Sequence, residues 1–106
     1  MNFGKMGNMA NMLKQAQQLQ KQMAAAQEEL AKEQVEGTSG GGMVTATVNG
    51  HGDLLSIKIN PDAVDKEDME LLEDLIVAAV GEASRKAKEM MSSRLNSLTG
   101  GMGLPF

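Results

Sequence analysis

Seven apolar residues spaced alternately by three and four, Met9, Met12, Ala16, Leu19, Met23, Ala26 and Leu30, constrain this chain more than any other feature. Residues seven apart lie nearly above one another on a helix. The pattern therefore draws a narrow seam of the coiled-coil kind rather than the broad stripe of a helix sunk in a domain core. The segment that follows is short and β-like and cannot wrap such a helix. The seam is accordingly expected to find its partner on a second copy of the chain, with Met9, Met12, Ala16, Leu19 and Met23 as candidate dimer-interface residues.

A chain of 106 residues makes one domain, and small domains bury little surface on their own, so a dimer interface is expected to supply much of the core. The absence of cysteine excludes a disulfide framework and thiolate metal sites and points to a reducing compartment. No apolar run approaches the ~20 residues of a membrane span, and the N-terminus lacks the pattern of a signal peptide. A cytoplasmic protein with no membrane partner is expected. The two aromatic residues, Phe3 and Phe106, sit at the ends of the chain, which leaves no stacking platform for single-stranded nucleic acid.

The formal charge of −4 conceals a segregation. Residues 1–27 carry Lys5, Lys14 and Lys21 and no acid; residues 61–83 carry eight acids against Lys66; residues 84–106 carry Arg85, Lys86, Lys88 and Arg94 against Glu89. Net positive charge is thus confined to the two ends, since residues 28–60 carry five acids against Lys32 and Lys58. Phosphates respond to fields within about a Debye length, ~8 Å at physiological salt, so net acidity does not prevent local cationic segments from holding a nucleic acid.

Along the chain, residues 1–7 read as a flexible leader because two glycines accompany no apolar period. Asn8 is a candidate N-cap for a helix reaching about Gln34, composed over Lys14 to Lys32 of strong helix formers. Val35 to Ser39 has the character of a short strand, and Gly40, Gly41 and Gly42 form a flexible connection. Met43 to Asn49 and Leu54 to Ile59 alternate, with Val44, Ala46 and Val48 and then Leu55, Ile57 and Ile59 directed inward. Asn49-Gly50-His51-Gly52-Asp53 between them suits a hairpin. Pro61 ends the last strand. Asp65 and Asp68 open a second helix in the manner of a capping box, and acidic first turns suit its dipole. Leu71 to Val80 is apolar around much of the helix, so one side should meet the sheet and another a second subunit. Leu72, Leu75, Ile76, Ala79 and Val80 complete the candidate dimer interface. Residues 97–106, with three glycines and a proline, read as a flexible tail, which leaves 8–96 as the single folded domain.

None of the familiar catalytic or ligand motifs is present. The three glycines lack the Gly-Lys-Ser/Thr ending of a phosphate loop. His51 has no second histidine to converge with, so it is not expected to bind metal or catalyse. Asp62, Asp65, Glu67 and Asp68 lack the ligand spacing of a calcium loop and are better explained by capping. No enzyme activity, cofactor, metal or small-molecule substrate is expected.

Four segments in order carry a family resemblance: Met12-Leu13-Lys14-Gln15-Ala16-Gln17-Gln18; Val35-Glu36-Gly37-Thr38-Ser39-Gly40-Gly41-Gly42-Met43-Val44; Val48-Asn49-Gly50 with Ile57-Lys58-Ile59-Asn60-Pro61; and Leu72-Glu73-Asp74-Leu75-Ile76-Val77-Ala78-Ala79-Val80. In these the chain resembles the bacterial YbaB/EbfC nucleoid-associated proteins. The resemblance implies a homodimer whose sheets form a central body and whose helices protrude as tweezer-like arms. It also implies binding to double-stranded DNA with little sequence preference and a part in nucleoid organisation, extending to gene regulation or DNA protection.

The family transfers no agreed DNA-contacting residues, so the candidates rest on charge. Lys14 and Lys21 lie one heptad apart on the helix face opposite the seam. Arg85, Lys86, Lys88 and Arg94 cluster toward the end of the second helix, where the dipole also favours cations. Twofold symmetry would present each group twice, and such residues position a phosphate backbone rather than read bases. The expectation is an α+β chain: a long N-terminal helix, a three-stranded antiparallel meander and a long C-terminal helix, assembled as an intertwined homodimer with protruding arms. It would bind duplex DNA and associate with the nucleoid. The rival is an acidic helical adaptor that engages a DNA repair or replication protein and has no DNA affinity of its own.

Overall fold

The computed structural model describes residues 3–99, with side chains over 8–98. Helix α1 (Phe3–Lys32) is followed by strands β1 (Gln34–Ser39), β2 (Val44–Asn49) and β3 (Leu54–Ile59), a 3-10 turn over Pro61–Ala63, and helix α2 (Met69–Thr99). The strands form an antiparallel meander in the order β1-β2-β3, and the molecule measures 82 × 24 × 16 Å. The α+β class and the order of elements are those expected.

Element ends differ from expectation for local reasons. α1 starts at Phe3, ahead of Asn8, because adding glycine to an existing helix costs only about 1 kcal/mol per residue. Residues 1 and 2 of the expected leader lie outside the described residues. At the other end, 97–99 form the last turn of α2, and the remainder of the expected tail, 100–106, also lies outside them. α2 opens one turn later than the Asp65 cap implied. Asp65 Oδ1 accepts from the Glu67 N–H at 3.0 Å in a preceding turn, and Asp68 Oδ1 accepts from the Leu71 N–H at 3.3 Å as the N-cap. The three glycines joining β1 to β2 all have positive φ, 59°, 68° and 95°, so they form a left-handed turn that side chains would strain.

α2 lies across β1 and β2. Leu72, Ala79, Ala83 and Ala87 follow one another on a single face of the helix and close on Val44, Ala46 and Val48 of β2. Leu75, Ile76 and Val80 flank this cluster and are partly buried against it. Leu72 and Ala79, read from the sequence as interface between copies, therefore lie in the chain's own core. Small side chains on α2 and a glycine at position 37 bring the helix unusually close to β1: a Cβ on Gly37 would stand 2.3 Å from both the Ala79 carbonyl oxygen and the Ala83 amide nitrogen.

The foot of α1 is anchored to the β2–β3 hairpin. Leu30 is fully buried, and its carbonyl accepts from the Gly50 N–H at 2.7 Å. The His51 ring, with its proton on Nε2, donates to the Gln27 carbonyl at 2.9 Å. A Cβ on Gly50 would lie 2.6 Å from the Leu30 oxygen. Gly50→Ala is accordingly expected to cost roughly 1–3 kcal/mol through overpacking. The measurement is a urea titration, in which the midpoint falls and the slope stays unchanged.

The α1 seam is thus covered in part, and by its own chain: Ala26 and Leu30 are buried and Leu19 is half-buried, while Met23 between them is exposed. Met9 and Met12 remain about two-thirds exposed.

Candidate nucleic-acid interface

Past Ala87, α2 leaves the sheet and runs antiparallel to α1. Met90, Arg94 and Leu98 face Gln22 to Glu29 across an open cavity of about 570 Å³. Leu98 then stands beside Met12, Ala16 and Leu19 at the edge of a second hollow of about 460 Å³. The two helices make an arm whose outer end is the N-terminal part of α1.

Lys14 and Lys21 are exposed on that arm, on the side away from the seam, and neither makes an ion pair among the described residues. No acid occurs before Glu28, so nothing on this stretch of helix offsets their field. The second group is less free than its sequence implied. Arg85 Nη1 pairs with Glu89 Oε1 at 2.8 Å, and Lys86 Nζ pairs with Glu82 Oε1 at 3.0 Å while also donating to the Glu36 carbonyl at 3.1 Å. Arg94 donates to Glu29 Oε2 at 3.0 Å and to Glu33 Oε1. Lys88 is exposed and makes no ion pair among the described residues. The four-residue spacing of Arg85 to Glu89 and Glu82 to Lys86 made those two pairs legible in the sequence. The Arg94 partners, on another helix, were not.

Lys86 holds the Glu82 carboxyl below its ordinary value of 4.5, chiefly by hydrogen bonding, with help from the Thr38 backbone and the Arg85 charge. Because the folded-state value is depressed, the pair's contribution to stability is present above the ordinary carboxylate value and is lost as pH falls through the lowered one. The pair is solvent-screened and its worth is small. Lys86→Gln should leave the neutral melting temperature nearly unchanged and flatten the acid limb of a stability–pH profile.

Sequence reasoning missed the state of β3. Register sets Ile59 opposite Val44 and Ile57 opposite Ala46, so both point to the face that α2 covers elsewhere, as expected of inward residues. The helix stops short of this edge strand. All six residues of β3 are exposed, with Leu54 and Leu55 half exposed and Ile57 and Ile59 more than a third exposed. An uncovered apolar edge strand is a ready pairing surface.

Among the described residues, no group of three or more His, Cys, Asp or Glu could hold a metal ion. No helix among them is long and apolar enough to cross a membrane.

The model of the YbaB/EbfC DNA-binding family matches residues 6–102. A nucleoid-associated protein of Caldanaerobacter subterraneus is 55% identical over 98 residues, covering 92% of this chain and 88% of that protein. Another, of Bacillus cereus strain AH187, is 51% identical over 102 residues, covering 96% and 94%. The crystal structure of an uncharacterized protein of Helicobacter pylori shares the fold with a TM-score of 0.69 at 21% identity, over 92% of this chain and 97% of that one. A match across nearly the whole length, joined to relatives identical at about half their positions, means that this chain belongs to the YbaB/EbfC DNA-binding family.

Proposed function

We propose that the chain binds double-stranded DNA as a homodimer with little sequence preference and takes part in organising the nucleoid. The family match supports the DNA partner, and the relatives' names support the nucleoid setting. The observation that carries the mode of binding is the arm: a helix of 30 residues, ~45 Å long, which has no acid before Glu28 and carries Lys14 and Lys21 without an ion pair among the described residues. Lys14, Lys21 and Lys88 contact phosphates directly, with Arg85 and Lys86 contributing once DNA competes for their carboxylate partners. Contacts of this type set position without reading sequence.

Dimerisation supplies the second arm. The exposed apolar strip of β3, together with the open part of the α1 seam, offers the surface through which two copies join about a twofold axis. Symmetry then duplicates each lysine, and every phosphate neutralised releases counterions.

The test is a salt titration of duplex binding. Affinity should fall steeply as salt rises, with a log–log slope of about −0.9 for each phosphate contacted. Lys14→Gln with Lys21→Gln removes two lysines from each of two copies and should make that slope shallower by roughly 2 to 4. Charge reversal of Arg85, Lys86 and Lys88 together should weaken binding while sedimentation still reports a dimer. Absence of binding at low salt would overturn the proposal and favour a protein adaptor.

A further inference from the structure

We propose that Arg94 is a positioning residue for duplex binding: it latches α2 to the base of α1 and so sets the direction in which the lysine-bearing arm projects. Its guanidinium spans two carboxylates on the opposite helix and its junction, Glu29 at 3.0 Å and Glu33, which precede it by 65 and 61 residues. Arg85 and Lys86 take their carboxylate partners from their own helix. Glu33 is the single residue between α1 and β1, and its N–H is bonded to the Glu29 carbonyl at 3.0 Å. The latch therefore closes on the pivot where the arm meets the sheet.

The hairpin bonds to Gln27 and Leu30 hold only the last turn of α1, and apolar packing leaves its angle to α2 beyond that turn weakly determined. Ala26, Leu30 and Ala87 are buried at the base, but beyond them small residues such as Ala25 border the open cavity of about 570 Å³. Small side chains make shallow ridges that permit several crossing angles. A planar guanidinium with two carboxylates fixes geometry far better than one ammonium does. The lever is long: Lys14 lies 19 residues from Glu33, about 28 Å at helical rise, so a swing of about 10° moves it by about 5 Å, well beyond hydrogen-bond range. Arg94, with only 29% of its side chain exposed and two carboxylates on it, acts through Lys14 and Lys21.

The latch itself is independent of the proposed function; its role in DNA binding rests on it. The chain has no cysteine, so Gln20→Cys and Asn96→Cys, both exposed, can carry a spin-label pair across the arm in full-length protein diluted into unlabelled chain. A single narrow distance is expected without DNA. Arg94→Gln should broaden it, as should Glu29→Gln with Glu33→Gln, and Arg94→Lys should not restore it. An unchanged distribution in Arg94→Gln overturns the latch. On a labelled duplex at low salt, Arg94→Gln should reduce affinity about tenfold in the parent and have little further effect with Lys14→Gln and Lys21→Gln already present. Additive losses overturn the positioning role. If the parent does not bind the duplex, the proposed function fails instead, and the distance measurement alone decides the latch.

Discussion

Gly37→Ala is expected to destabilise the fold by about 3 kcal/mol or more, lowering the melting temperature by at least ~12 °C at the 4–8 °C per kcal/mol typical of a small domain. The added methyl would meet the backbone of α2 at 2.3 Å, at the Ala79 oxygen and the Ala83 nitrogen. No rotamer change relieves a clash with main chain, so strand and helix must separate along the whole Val44, Ala46, Ala79, Ala83 contact. Ala83→Gly should give no rescue, since the obstruction is not a side chain. Thr38→Ala, at the exposed neighbouring position, should stay within ~0.5 kcal/mol. Thermal melts at equal protein concentration decide the matter. A Gly37→Ala protein that melts with the parent would mean that close strand–helix approach does not limit stability.

Ile57→Asp is expected to leave the chain helical and folded but to abolish self-association. Within one chain Ile57 is already 37% exposed on an edge strand, so a carboxylate there stays in contact with water. In the proposed dimer the same position is covered on both copies. Only the exposed third or so of the isoleucine can be lost to an interface, roughly 0.5–1 kcal/mol per copy. The dimer would also bury an unpaired carboxylate at several kcal/mol per copy, so the association constant should fall by more than about 100-fold. Sedimentation should then report monomer at micromolar concentration with the circular dichroism retained. Duplex affinity should fall with it, because a lone arm offers half the phosphate contacts. A variant that still sediments as a dimer would place the interface elsewhere, with the Met9 and Met12 seam next to be tested.

The elements of this fold are largely written in local sequence. Periods of three and four from Met9 to Leu30 produce α1, and alternation over 44–49 and 54–59 produces two strands at or near the expected limits. Both signals arise from neighbours a few residues apart, which is the range over which helix and strand geometry acts. The cap of α2 is Asp68 rather than Asp65 because either aspartate can satisfy a free N–H, and Asp65 serves the preceding turn instead.

The candidate site was legible only as a set of charged residues. Lys14 and Lys21 make no ion pair among the described residues, as their surroundings implied, since no acid lies within reach along that helix. Arg94, outwardly equivalent to Lys88 in sequence, is bound by Glu29 and Glu33, and charge alone could not distinguish the two. Likewise Leu72 and Ala79 carry the same apolar signature as Ile57, yet the first pair is buried and the last is open.

What the sequence determined by itself was the kind and order of the elements, the segregation of charge and the family, all of which follow from short-range pattern. Tertiary structure decided which apolar surface is covered and which cation is free. Both depend on where α2 crosses the sheet and meets α1, contacts between residues some 40 to 65 positions apart, and the energy of an exposed or paired group depends on its neighbours in space rather than along the chain.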